Sequence, residues 1–276
     1  MNSKKRFDLS RRIAVITGGA GLLGKEHATV IAEAGGIPVL ADIKGEEAEK
    51  IAQEISHKFQ VPAMGVRIDI TNKKDVEQLL KKLSEKFQRV DILINNAAND
   101  PKVDGENQNS KWSRFESFSL DLWEKDLTVG LTGSFICSQV FGSYMAKQGS
   151  GVILNISSDL GLVGPDQRLY EVEGISQDEQ PVKSVTYSVV KAGLIGLTRY
   201  LATYWASRGV RVNALCPGGI DAGQSEEFKE RVHSRIPMGR MARRDEYHGA
   251  VLFMISDESS YMNGAILSVD GGRTCW

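Results

Sequence analysis

Cysteine and histidine are scarce in this chain. The three cysteines, Cys137, Cys216 and Cys275, are too few and too scattered across 276 residues for a disulfide framework or a zinc site, and His233 and His248 have no partners at metal-ligand spacing. No metal is therefore expected. Charge of one sign is lacking too: a formal net charge of −1 gives no electrostatic basis for holding nucleic acid, although local basic pockets remain open. No apolar run reaches membrane length and no secretory core follows the start, which predicts a cytoplasmic protein without membrane contact. Lys4-Lys5-Arg6 reads as a solvated tail. Repeats, low-complexity stretches and domain linkers are also missing. With 41% hydrophobic and 25% charged residues, a chain of this length buries roughly three quarters of its unfolded surface, as one large α/β unit or two smaller ones.

What is present is an alternation of short apolar runs and helical periods. Residues 12–17 form an apolar run ending in Gly18-Gly-Ala-Gly-Leu-Leu-Gly24, then a periodic segment from Lys25 to Ala34 closed by Gly35-Gly36: strand, glycine turn, helix, stop. Glycines at such a turn let the backbone approach a pyrophosphate at the helix N-terminus. A second strand, from Ile37, ends in Asp42, 24 positions after Gly18, where a carboxylate can accept both ribose hydroxyls of an adenosine and repels a 2′-phosphate. That favours NAD over NADP. The alternative is that Asp42 caps the helix starting near Gly45. Helical stretches from Gly45 to Phe59 and Asn72 to Phe87 alternate with strands Ala63 to Asp69 and Ile92 to Asn95, the spacing of a doubly wound parallel sheet with helices on both faces. Asp69 either accepts an adenine amino group or caps the helix after Thr71. A long helical region, 120–148, a strand from Gly151 to Ile156, a helix from Val185 to Arg208 and a strand from Val210 to Leu215 follow. A charged helix at 225–235, another at about 244–255 and a strand at 265–269 complete the pattern.

The chemistry centres on Tyr187-Ser-Val-Val-Lys191. On a helix, Tyr187 and Lys191 lie one turn apart on one face, and an ammonium beside a phenol favours the phenolate. A free tyrosine titrates near ~10, so such a neighbour brings it toward a working general acid and base. Taken alone, the pair is equally what an ordinary amphipathic helix carries by chance.

Taken together, the chain resembles the short-chain dehydrogenase/reductase family from Arg12 to Gly272. The resemblance rests on Thr17-Gly-Gly-Ala-Gly-Leu-Leu-Gly24, Asp69, Asn95-Asn-Ala-Ala98, Asn155-Ile-Ser-Ser158, Tyr187-x-x-x-Lys191, the Val210 to Gly218 segment and Asp270-Gly-Gly272, in that order. It implies a single Rossmann-type α/β domain over 1–276 with a seven-stranded parallel sheet. The implied reaction is reversible hydride transfer between NAD and a hydroxyl or carbonyl. By the same resemblance Tyr187 moves the hydroxyl proton, Lys191 binds the nicotinamide ribose and favours the phenolate, and Ser158, not its neighbour Ser157, hydrogen-bonds the substrate oxygen. Gly18, Gly21, Leu22, Leu23, Asp42, Ile43, Asp69 and Ile70 are expected along the cofactor. Asn96, Ala97 and Ala98 are expected to line it at the end of the fourth strand, and Pro217, Gly218 and Ile220 to approach its nicotinamide side. Homo-oligomers, dimers or tetramers, are the rule in such proteins, and Trp276 is placed either at a subunit contact or on a frayed end.

Four departures from the family pattern stand out. The glycine spacing is that of the family's extended sugar-nucleotide branch, with Leu22 where the shorter branch has glycine. Gly130 stands where an asparagine usually supports a water-mediated proton relay. Ala98 replaces a glycine. Ser158 and Tyr187 are 29 positions apart, so Pro165 to Lys183 is an insertion. With the long loop 99–118 and segment 219–237, this insertion (162–183 overall) is expected on the substrate side, at the strand C-termini. Asp100, Lys102, Asp104, Asn107, Asn109, Trp112, Arg114, Asp166, Arg168, Tyr170, Glu171, Glu173 and Lys183 within these loops suit a small polar substrate, such as a sugar, polyol or phosphorylated derivative. The alternative is solvated surface or subunit contact. Family members acting in surface-glycan or flagellin sugar modification are similar. Two other functions fit the same residues: a non-catalytic NAD-binding sensor or subunit, which Gly130 suggests, and an epimerase or dehydratase that retains its NAD, which the glycine spacing suggests.

Overall fold

The computed structural model describes residues 6–99 and 110–276. Seven strands form one sheet: β1 (Ile13–Thr17), β2 (Ile37–Asp42), β3 (Met64–Arg67), β4 (Ile92–Asn95), β5 (Gly151–Ile156), β6 (Val210–Pro217) and β7 (Ile266–Val269). Their order is β3-β2-β1-β4-β5-β6-β7, with every neighbouring pair parallel. Strands read as continuous apolar runs because both faces are covered. Alternate residues of β1 show it: Ile13 and Val15 enter the core on one face, Ala14 and Ile16 the core on the other.

The first face is covered by α3 (Lys73–Phe87), the helical region α4 (120–148) and α5 (Val185–Trp205), through Val76, Leu79, Leu83, Phe141, Met145 and Trp205. The second is covered by α1 (Leu22–Glu33), α2 (Gly45–Phe59) and α7 (His248–Ile255). In α2 the buried residues Ala48, Ile51, Ala52 and Ile55 recur at helical spacing, and burying each isoleucine contributes about 1.5–3 kcal/mol. The helix ends on Gln60 in the left-handed region (φ 54). Asn72 caps α3, its side chain accepting from Lys74 N at 3.1 Å. A short helix α6 (Glu226–His233), capped by Ser225, completes the set.

Several boundaries differ from the sequence pattern. α1 begins at Leu22, within the glycine run, and β3 pairs only over Met64–Arg67, because it is an edge strand with β2 as its single neighbour. α4 is continuous but contains two π turns, Thr128–Thr132 and Ser138–Gly142, and ends at Gly149 (φ 80). Among the described residues no helix is long and apolar enough to cross a membrane.

Candidate active site

Where the chain leaves β1 for α1 on one side and enters β4 on the other, the sheet reverses its winding, and ligands of open α/β sheets bind at that crevice. A cleft of about 700 Å³ runs there along the C-terminal edge of the strands. Every cofactor residue expected from sequence borders it, as do Ser158, Tyr187 and Lys191.

At the β2–β3 end stand Asp42, Ile43, Asp69 and Ile70. Asp42 is not a cap for α2: its Oδ2 accepts from Ala20 N at 3.0 Å and its Oδ1 from Lys44 N at 2.9 Å, tying the glycine loop to the end of β2. Asp69 is not the cap of α3 either, since Asn72 serves there; Asp69 Oδ1 accepts from Thr71 N (2.9 Å) and Thr71 Oγ1 (2.7 Å).

In the middle lie Gly18, Gly21, Leu22 and Leu23, below the N-terminus of α1. Gly18 has φ +63, and a Cβ on it would fall 2.9 Å from Ala97 Cα; one on Gly24 would fall 2.2 Å from Gly18 O. The loop therefore folds this tightly only without side chains. Asn96 sews β4 to it, its Nδ2 donating to Thr17 O (3.0 Å) and Gly18 O (3.1 Å). Ala97 and Ala98 continue that wall. Behind it, His27 is 1% exposed, and burial, reinforced by nearby His248, pushes its imidazole down to about 3, while Nε2 has no partner among the described residues.

At the β5–β6 end, Pro217, Gly218 and Ile220 face Tyr187, Lys191 and Ser158. Lys191 is 5% exposed and its Nζ donates to Ile156 O at 2.9 Å, 5.7 Å from the centre of the Tyr187 ring. A second ammonium, Lys183 Nζ, lies 3.9 Å from that ring centre. Ser157 Oγ donates to Lys191 O (2.7 Å), fastening β5 to α5, and Ser158 Oγ donates to Asp159 Oδ1 (2.7 Å) while accepting from Leu160 N (3.2 Å). Gly161 permits that contact, because a Cβ on it would meet Ser157 Oγ at 2.7 Å. Asn213 is structural: it holds Met262 O and Ala265 N.

The loops differ from expectation. Asp100, Lys102, Asp104, Asn107 and Asn109 lie outside the described residues. Among the described residues, 111–118 do not line the cleft; they dock on the insertion, through Arg114 Nη1 to Gln177 O (3.0 Å) and Lys111 to Glu179 (2.8 Å). Of the insertion only Leu169, Tyr170 and Lys183 reach the cleft. Asp166 is turned instead to Arg168 (2.8 Å) and Arg235 (3.1 Å), which hold its carboxyl down at about 2. Buried Gln180 closes the insertion on itself through Val172 and Ile175. The roof is thus apolar, Leu169 and Tyr170 packing with Phe228, Val232 and Met241. Polar loop residues satisfied by one another explain why composition misjudged which of them face inward.

One cleft residue had no sequence signal at all. Arg273, just after Asp270-Gly-Gly272, reaches back to the buried carboxylate of Asp159, with Nη1 2.8 Å from Oδ2.

Residues 19–274 match the family model described as enoyl-(acyl carrier protein) reductase. The chain belongs to the short-chain dehydrogenase/reductase family. It is 36% identical to an uncharacterized oxidoreductase of Thermotoga maritima, over 95% of this chain and 97% of that one. It is 34% identical to a 3-oxoacyl-(acyl-carrier-protein) reductase of Aquifex aeolicus, over 96% and 98%. Among solved structures, a gluconate 5-dehydrogenase of Burkholderia cenocepacia, in complex with NADP and tartrate, is similar over the full length of both chains, with a TM-score of 0.86 and 26% identity. These likenesses identify an oxidoreductase that uses a nicotinamide cofactor.

Proposed function

We propose that this member of the family is an NAD-dependent dehydrogenase acting on the hydroxyl, or in reverse the carbonyl, of a polar substrate, with Ser158, Tyr187 and Lys191 as its catalytic residues. The observation that carries this reading is their meeting at one end of a cleft whose other end is closed by Asp42. The glycine loop fits a dinucleotide, because side chains are excluded where a pyrophosphate approaches and the α1 amides begin there. Gly18, Gly21, Leu22 and Leu23 hold that part. Asp42, Ile43, Asp69 and Ile70 would hold the adenosine, Asn96, Ala97 and Ala98 would line the cofactor at the end of β4, and Pro217, Gly218 and Ile220 would approach the nicotinamide. When bound, NAD accepts or returns a hydride.

The chain's own work is to move a proton and hold charge. Tyr187 takes the hydroxyl proton during oxidation and gives it back during reduction. Lys191 and Lys183, both beside its ring, favour the ionised phenol. Ser158 donates to the substrate oxygen as negative charge builds there, which requires its hydroxyl to turn from Asp159. A carboxylate at the end of β2, at Asp42, would repel a 2′-phosphate, which supports NAD over NADP.

Sugars and sugar derivatives are among the substrates that polar side chains at the β5–β6 end, such as Ser158 and Tyr187, could hydrogen-bond; the link to surface-glycan or flagellin modification rests on the family resemblance alone. Exposed, stacked Tyr200 and Tyr204 on α5, with Phe135 on α4, support a homo-oligomer. The test is NADH formation by purified protein against a panel of secondary alcohols, with light scattering for the assembly. No NADH from any alcohol, and no aldehyde or ketone reduced, removes the dehydrogenase reading in favour of a cofactor sensor.

A further inference from the structure

The hydroxyl of Ser158 is oriented by an ion pair whose second member comes from the far end of the sequence. Ser158 Oγ donates to Asp159 Oδ1 (2.7 Å), and the same oxygen accepts from Leu160 N (2.8 Å), so the short turn after β5 holds carboxylate and hydroxyl in one arrangement. The other oxygen, Oδ2, accepts from Arg273 Nη1 at 2.8 Å. Asp159 is 3% exposed and the Arg273 side chain 13%, so salt and water screen the pair little. Both residues line the cleft at the end where Tyr187 and Lys191 stand.

The turn that presents Arg273 is preorganised. Gly271 (φ +67) and Gly272 (φ +90) bend the chain in the left-handed region, and the Asp270 carboxylate fixes the bend by accepting from Gly272 N (3.0 Å), Thr274 N (3.0 Å) and Thr274 Oγ1 (2.6 Å).

A carboxylate is an unfavourable neighbour for hydride transfer. Negative charge builds on the substrate oxygen while Tyr187 works as a phenolate, and a bare carboxylate two hydrogen-bond lengths from that oxygen, about 5–6 Å, opposes both. Around Asp159 stand Arg273 on the C-terminal turn, Cys216 on β6 and Tyr247 just before α7, with Tyr187 and Lys191 on α5 and Lys183 on the insertion at the same end of the cleft. Asp159 already acts on two of these: burial first, and Asp159 in addition, push the Tyr247 phenol and the Cys216 thiol up.

We propose that Asp159 and Arg273 are positioning residues for Ser158: the carboxylate fixes the serine hydroxyl at the reacting end of the cleft, and the guanidinium offsets the negative charge that this carboxylate sets against the substrate oxygen and the Tyr187 phenolate. The inference rests on the dehydrogenase reading, in which Ser158 meets that oxygen. As a pair, the two residues present an oriented hydroxyl without adding net charge. The Ser158 proton also turns toward the substrate oxygen more readily, because a carboxylate held by a guanidinium attracts it less than a bare one.

Charge changes of opposite sign provide the test. Without cofactor or substrate, tyrosinate absorbance is followed from pH 6 to 11 in the parent, Arg273→Gln, Arg273→Lys, Asp159→Asn and the double variant Asp159→Asn with Arg273→Gln. Each is titrated beside its Tyr187→Phe counterpart, so that the difference belongs to Tyr187. Ionisation should move to higher pH in Arg273→Gln, where the carboxylate has lost its partner, and to lower pH in Asp159→Asn, where the guanidinium has. In Arg273→Lys and in the double variant it should stay near the parent. A role in packing alone would not give shifts of opposite sign. NADH formation is then measured with a panel of secondary alcohols, sorbitol, cyclohexanol and butan-2-ol among them. For an alcohol that is turned over, kcat should fall about ten- to a hundredfold in Arg273→Gln with the KM for NAD within about twofold, and the double variant should recover most of the loss. If the buried carboxylate keeps Arg273→Gln from folding, the shift in Asp159→Asn and its cancellation in the double variant carry the same comparison. Shifts in one direction in both single variants, no shift in Asp159→Asn, or a double variant as slow as Arg273→Gln each overturn the proposal. Opposed shifts with no NADH from any alcohol keep the charge coupling and remove the dehydrogenase reading. Turnover that depends on Tyr187, without those shifts, removes the coupling and keeps the dehydrogenase.

Discussion

Val190 occupies the space that a side chain at Gly130 needs: a Cβ built on Gly130 lies 2.5 Å from Val190 Cγ1. Gly130 sits in the first π turn of α4, and Val190 immediately precedes Lys191 on α5. The asparagine usual in the family at this point is therefore absent together with the room for it. Were there room, Gly130→Asn would leave activity within roughly tenfold, about 1.4 kcal/mol. The structure shows the obstruction, one residue from Lys191.

Gly130→Asn is accordingly expected to destabilise the protein by about 1–3 kcal/mol, as overpacked cores do, and to lower the rate of hydride transfer by displacing α5. Adding Val190→Ala should recover most of both losses, so that the two changes are strongly non-additive. Urea unfolding of the parent, both single variants and the double, with single-turnover kinetics on each, makes the comparison. Additive losses would show that the two positions do not share the space.

The proposed preference for NAD rests on Asp42, whose carboxylate is fixed by Ala20 N and Lys44 N. Asp42→Asn keeps one acceptor oxygen for those amides and removes the charge. The expected result is a fall in the NAD over NADP preference of at least about tenfold, or 1.4 kcal/mol. Calorimetric titration of both cofactors into parent and variant decides it, and tighter NADP binding by the parent would sink the assignment.

Much of the fold was legible because the physics is local. The strands are continuous apolar runs, α2 and α3 carry their buried residues at helical spacing, and glycine or a left-handed glutamine closes most helices. The pair proposed as catalytic, Tyr187 and Lys191, was legible for the same reason, being four positions apart on one helix. The π turns of α4 were not, since each shifts the period by a single residue within an unbroken helical pattern. Arg273 was hidden because its partner, Asp159, is 114 positions away. The roof was misread for a third reason: charges such as Asp166 find partners within their own loop and leave Leu169 and Tyr170 to face the cleft.

His27 makes the stability of the protein pH-dependent. Its folded-state value is depressed from 6.5 to about 3 by burial, so below pH 6.5 the unfolded chain binds a proton that the folded one refuses. Acid therefore favours unfolding, with a slope of about 1.4 kcal/mol per pH unit from this one group between those limits, and the effect is absent above them. His27→Leu should flatten the stability profile between pH 6.5 and 5 while changing it far less at pH 8. Unfolding by urea across that range provides the measurement, and an unchanged slope in the variant would mean that His27 is protonated when folded.

The catalytic assignment itself turns on Tyr187 and Lys191. Tyr187→Phe deletes one oxygen from a half-buried ring on a helix otherwise packed by Val190, Leu194 and Ile195, so fold and cofactor binding should survive. Positioned proton transfer is worth about 10² to 10⁴ in rate, and kcat should fall by at least that range. Lys191→Met acts differently. It removes the charge beside the ring and leaves Ile156 O without its donor, so NAD binding should weaken and the rate should change in its pH dependence as well as its size. The sign follows from the charge: a phenol that loses a positive neighbour ionises less readily, and oxidation should reach half its maximum at a higher pH in the variant than in the parent. Single-turnover hydride transfer, followed from pH 6 to 10 in parent and both variants, separates the two effects. A Tyr187→Phe protein with near-parental rates would end the catalytic assignment and bring forward the sensor reading, whereas a loss in Tyr187→Phe combined with an unmoved pH profile in Lys191→Met would keep the tyrosine as acid and base and reduce the lysine to a cofactor ligand.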